Sequence, residues 1–231
     1  HLSIRRQRQM CIRDRQHRNS LLRIAAARGC DGAMAAPRAG GAAAAGADGC
    51  PARKEFIVKS LQNNLFNKMA INLAAAADAN SWARSQWIYW GPATQSLAPQ
   101  ATATKRANNY DTWASDGTAL ANSNIAAAFE ASDGSAITQN ILSTYIQATL
   151  RYANKMDRDI GGGAATAGWK NQGEGWGFSL VIADYLGDDA PTIDSMYNLA
   201  TRNAASDNFC TGATVLLQQL PAGMAAIGTL S

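Results

Sequence analysis

The chain has 231 residues, is 47% hydrophobic and only 16% charged, and its 21 Lys+Arg against 17 Asp+Glu give a formal net charge of +4. That excess sits in residues 1–54, which hold 11 of the basic and 3 of the acidic side chains; residues 55–231 carry 10 against 14, a net −4, so the electrostatic case for a nucleic-acid partner falls away. Both histidines and three of the four cysteines also lie before residue 55, which excludes imidazole-based triads and Cys/His zinc sites from the rest of the chain.

In chain order, residues 5–15 come first. Arg-Arg-Gln-Arg-Gln-Met-Cys-Ile-Arg-Asp-Arg resembles a translated sequencing adapter, and a chain opening on His1 fits a reading frame that runs from adapter into insert. Residues 16–54 continue as an Arg, Ala and Gly mixture without helical or strand periodicity. Residues 1–54 are therefore expected to be adapter-derived or disordered, and are set aside from fold reasoning. A signal peptide is not seen and is expected to have been lost with a missing 5′ end. Residues 55–231 are expected to form one domain. No apolar run approaches the roughly 20 residues of a membrane-spanning helix.

From Phe56 onward the apolar residues recur at helical spacing, which predicts an all-α, single-domain helical bundle. The first helix is expected over Glu55–Ala79 and the second over Ser81–Trp90, stopped by Gly91-Pro92. A shorter helix follows Pro99 and ends near Asn109. The next is expected over Gly117–Ala131, ended by Asp133-Gly134. Ser135 then caps a long helix to about Asp159, broken at Gly161-Gly162-Gly163. Further helices are expected over Ala164–Tyr185, from Pro191 to about Ala204, and from Cys210 to Leu220. Cys210, the lone thiol after residue 54, is expected to pack in the core.

Chemistry concentrates in Asn171-Gln-Gly-Glu-Gly-Trp-Gly-Phe178. Three alternating glycines cost about 1 kcal/mol each in a helix relative to alanine, so close packing must offset them. Wound as a helix, the segment puts Glu174 on one stripe with Phe178, Val181, Ile182 and Tyr185, while Gly173 and Gly177 admit a neighbouring helix. A carboxylate there needs a cation, a donor or a proton: a tyrosine hydroxyl or Arg151 on one reading, a metal or ligand on the other. The facing helix is expected to be the one bearing Tyr145 and Tyr152, seven residues apart on one face. Phenol and carboxylate oxygens suit a hard cation. Asp157 and Asp159 read as solvated charges at a helix end. Trp82, Trp87, Tyr89 and Trp90 read as core rather than as a stacking platform. Lys105-Arg106, beside Tyr110, Asp111 and Trp113, reads as cation–π packing or a pair with Asp111.

Four segments together resemble the algal iron-assimilation family, the low-iron-inducible or high-CO2-inducible periplasmic proteins: Trp87-Ile-Tyr-Trp-Gly91; Lys105-Arg-Ala-Asn-Asn-Tyr-Asp-Thr112 with Ala121-Asn-Ser-Asn-Ile125; Tyr145-Ile-Gln-Ala-Thr-Leu-Arg-Tyr-Ala153; and Gln172-Gly-Glu-Gly-Trp-Gly-Phe178. The resemblance covers roughly Ala70 to Tyr185, and implies a secreted or periplasmic protein that assists iron uptake. With it, the expected function is iron binding without catalysis, through Glu174 first and then Tyr145 and Tyr152. The expected partners are an iron ion and a cell-surface protein. The alternative is a helical interaction module, at the cell surface or in the cytosol, in which Glu174 and the tyrosines form a structural network without metal.

Overall fold

The computed structural model describes residues 50–60, 63, 65–76, 78–91, 98–161 and 164–197, together with Gly212, Val215 and Leu216. The expectations for residues 1–49 and Cys210, and most of those beyond Tyr197, lie outside the described residues. Among the described residues the expected all-α architecture is realised as eight helices. These are α1 (Cys50–Lys59), α2 (Leu65–Ala75), α3 (Ala79–Trp90), α4 (Pro99–Tyr110), α5 (Leu120–Glu130), α6 (Gly134–Gly161), α7 (Ala165–Ile182) and α8 (Ala190–Met196). A lone antiparallel bridge pairs Trp113 with Ala119. No described helix is long and apolar enough to cross a membrane.

The chain's punctuation follows local chemistry. Gly91 ends α3 as expected, its N–H bonding the Trp87 carbonyl, but with φ +59 and ψ −178 it takes a positive-φ extended conformation open to glycine instead of the left-handed helical one. The Asp78 carboxylate caps the other end of α3, accepting from the Ser81 N–H at 2.9 Å. At the start of α6, Asp133 rather than Ser135 provides the cap, accepting from Ala136 N–H at 3.0 Å. The helix expected from Gly117 begins instead at Leu120, because residues 113–119 are taken up by the bridge and its tight turn, in which Gly117 has φ +81.

The largest departure is at the N-terminus. The helix expected over Glu55–Ala79 is two helices, α1 and α2, joined through a π-helical turn at Ser60 and Asn63. There the Ser60 hydroxyl donates to Phe56 O, and the Asn63 and Asn67 amides donate to Lys59 O and Asn63 O. Side chains that bond backward to the helix carbonyls compete with the regular ladder. The boundary expected at residue 54 also moves. α1 starts at Cys50, and Ala52 and Arg53 are buried.

α6 is the axis of the bundle. Every residue from Ser143 to Leu150 is buried, so that stretch is surrounded rather than one-sided. Its polar members are satisfied in place; Thr144 and Thr149, for example, donate to Asn140 O and Tyr145 O. Ile137, Ile141, Tyr145, Tyr152 and Met156 of α6 meet Ile125 and Phe129 of α5 and Phe178, Val181 and Ile182 of α7 in one core. α7 lies between α6 and α1 and packs extensively on both.

Candidate functional site

The glycines of α7 create the site by letting backbone approach backbone. A Cβ on Gly173 would sit 1.9 Å from Ala52 O, and one on Gly177 would sit 3.2 Å from Phe56 O. Both glycines face α1, which settles against α7 as expected of a neighbouring helix. Gly175, on a different face, receives the ring of Tyr197, 2.2 Å from where its Cβ would lie. The Tyr197 hydroxyl in turn donates to Thr149 O of α6, and Gln172 donates to Tyr197 O. The three glycines thus fix α1, α6, α7 and Tyr197 at close quarters, which offsets their helix cost.

That clamp directs Glu174 inward. The residue is 7% exposed; its carboxylate lies 3.9 Å from Lys59 Nζ of α1, and the Tyr152 hydroxyl is close enough to favour its charged form. Burial raises its pKa, and Tyr152 and Lys59 only partly oppose that rise. One turn on, Phe178 stacks on Tyr152 with ring centroids 5.4 Å apart, and it contacts Tyr145 at 5.9 Å. Val181 and Ile182 are buried on the same stripe, whereas Tyr185 is 40% exposed because the helix gives way to a 3-10 turn at Ala183.

Tyr152 and Glu174 are brought together; Tyr145 is not part of that pair. Its hydroxyl donates to Asn63 Oδ1 and accepts from the Asn67 amide, both at 2.7 Å. Seven helical residues separate the two tyrosines by about 10 Å along the axis, and Asn63 with Asn67 of α2 claims Tyr145. Burial pushes the Tyr152 phenol up to about 12, with Glu174 adding to the rise and Arg106 opposing it. Burial likewise raises Tyr145.

Cations crowd Tyr152. Arg106 of α4 lies over its ring at 5.7 Å and over Phe178 at 5.9 Å, while Lys155 approaches the Tyr152 ring at 5.5 Å. Arg106 is 6% exposed, and burial lowers its pKa, with Arg151 adding to the effect and Tyr152 countering it. The cation–π expectation for Lys105-Arg106 is therefore met by Arg106, on rings that its own sequence neighbourhood does not contain. Nothing in the sequence marked Lys59 as the partner of Glu174, since the two meet only because Gly177 admits α1.

The remaining sequence candidates have structural work. Asp159 is tied down rather than solvated as expected: it accepts from Asn171 at 2.6 Å and pairs with Arg158 at 2.7 Å, linking the end of α6 to α7. Tyr89 is buried and donates to Asn122 at 2.7 Å, and Trp82 donates to Phe129 O at 3.1 Å. Trp90 packs edge-on to Tyr89, but Trp87 is 68% exposed and so departs from the core reading. Among the described residues no group of three or more His, Cys, Asp or Glu is arranged to hold a metal ion. Compared with protein-family models, curated proteins and solved structures, the chain finds no match in any of the three.

Proposed function

We propose that this protein binds iron, as an extracellular or periplasmic component of iron acquisition and without catalysis, with Glu174 and Tyr152 as its protein donors. The observation that carries the reading is the Glu174–Tyr152 pair, two hard oxygens brought close from different helices in the bundle interior. The four segments that resemble the algal iron-assimilation family include both residues. Ferric ion would displace the Tyr152 phenol proton, leaving its other coordination positions to solvent oxygens. Tyr145 drops out of the proposed donor set because its hydroxyl is held by Asn63 and Asn67.

A second reading has its own support. Lys59 already stands 3.9 Å from Glu174, and Arg106 and Lys155 flank Tyr152, an arrangement that stabilises a buried carboxylate without any metal. On that reading the protein is a helical interaction module and the pair is structural. Ferric titration of the wild type and Glu174→Gln separates the two. Iron binding predicts that the wild type melts higher with iron and that the variant loses that gain while its apo melting point holds or rises. A structural role predicts a variant destabilised by about 1–3 kcal/mol, with no iron-dependent shift in either protein.

A further inference from the structure

We infer that the cleft between α4 and α6, lined by Thr104, Lys105, Arg106, Asn108, Trp113 and Arg151, binds the phosphate group of a small phosphomonoester. The cleft has a volume of about 410 Å³, and its lining brings together one ammonium and two guanidinium groups with no carboxylate. Arg106 is 6% exposed, yet its Nε and Nη1 have no hydrogen-bond partner; Arg151 Nε is likewise buried and unpartnered. Buried charges in proteins are ordinarily paired and their donors used. The nearby carboxylate, Glu174, pairs with Lys59 at 3.9 Å and does not line the cleft, so it does not complete this set.

The chemistry of the missing partner follows from the donors. Planar guanidinium forks match the oxygens of phosphate, and a neighbouring ammonium adds a point charge. A neutral ligand or water would satisfy the N–H groups but bring no counter-charge to the two guanidinium groups. The volume exceeds what one oxyanion fills, and Trp113, 39% exposed, offers a flat apolar wall beside the cations. An organic phosphomonoester with a planar group stacked on Trp113 uses both features. This site borders the proposed iron donors, since Arg106 also lies over the Tyr152 ring, but it needs neither Glu174 nor a metal.

The test is calorimetric titration of the full chain with inorganic phosphate, adenosine 5′-monophosphate and adenosine, with sodium chloride at matched ionic strength as control. Phosphate is expected to bind, the monophosphate about tenfold more tightly, and adenosine and chloride not at all. Lys105→Gln, at an exposed position, and Arg151→Gln should each weaken monophosphate binding by about tenfold. Circular dichroism of both variants checks that they remain folded. Trp113→Ala should weaken the monophosphate while leaving phosphate unchanged. Adenosine binding as tightly as its monophosphate would overturn the inference. So would millimolar phosphate and monophosphate giving no more heat than chloride, or folded Lys105→Gln and Arg151→Gln variants binding like the wild type.

Discussion

At the residue scale, Glu174 sets the terms. Its pKa is raised chiefly by burial, so the folded state holds its proton more tightly than the unfolded chain does. The stability this group contributes is complete below its ordinary carboxylate pKa and is lost as pH rises through the raised one. Asp78 and Asp116, held below the usual carboxylate range by hydrogen bonds from Ser81 and Thr118, act with the opposite sign. Comparison of wild type with Glu174→Gln cancels them. The difference in unfolding free energy between the two proteins is expected to move in favour of wild type as pH falls from about 7 toward 4; urea melts across that range would show it, and a pH-independent difference would contradict it. The proposed iron binding would carry its own pH dependence. Tyr152, with its phenol at about 12, must release a proton to become a ligand, so ferric affinity at this site should rise about tenfold per pH unit for each proton displaced. The inward direction of Glu174 was legible from the sequence because helical period alone fixes the stripe it shares with Phe178 and Val181. Its pairing with Lys59 was not, since that depends on the approach of a helix more than a hundred residues earlier in the chain.

At the element scale, the close contact of α1 and α7 is the feature most exposed to test. Alanine is the better helix former by about 1 kcal/mol, so Gly173→Ala would stabilise an isolated α7. In the bundle its Cβ would meet Ala52 O at 1.9 Å, and a backbone atom cannot turn aside as a side chain can. Gly173→Ala is expected to destabilise by about 1–3 kcal/mol or more, measured by urea denaturation. A neutral or stabilising result would show that α1 does not pack there. The same contrast explains what the sequence displayed at this scale. Gly91 and Gly161 mark helix ends locally, and the alternating glycines of α7 advertise close packing through their local cost. The division between α1 and α2 was hidden because Ser60, Asn63 and Asn67 are tolerable helix residues by type, and their bonds back to preceding carbonyls, which compete with the regular ladder, appear only in the fold. The start of α1 was hidden too. Its first residues share the Arg, Ala and Gly composition of the segment before them, and only packing against Gly173 recruits them into the bundle.

At the scale of the whole molecule, α6 carries the core and, with α1, α4 and α7, the candidate chemistry. All-α character was legible from periodicity, whereas the grouping of Glu174, Tyr152, Lys59 and Arg106 arises from tertiary packing. Removing residues 1–49 should leave the thermal midpoint unchanged, while removing residues 1–54 strips buried Ala52 and Arg53 from α1. The longer deletion is expected to lower the midpoint by several degrees, given about 2–4 °C per kcal/mol at this size. Equal midpoints for the two deletions would mean that the first turn of α1 contributes nothing. The central claim, that Glu174 and Tyr152 hold iron, is tested most directly by the visible tyrosinate-to-iron absorbance on ferric titration of wild type, Tyr152→Phe and Tyr145→Phe. The band is predicted in the wild type and in Tyr145→Phe and should be absent from Tyr152→Phe; no band in the wild type, or one that survives Tyr152→Phe, would contradict the claim.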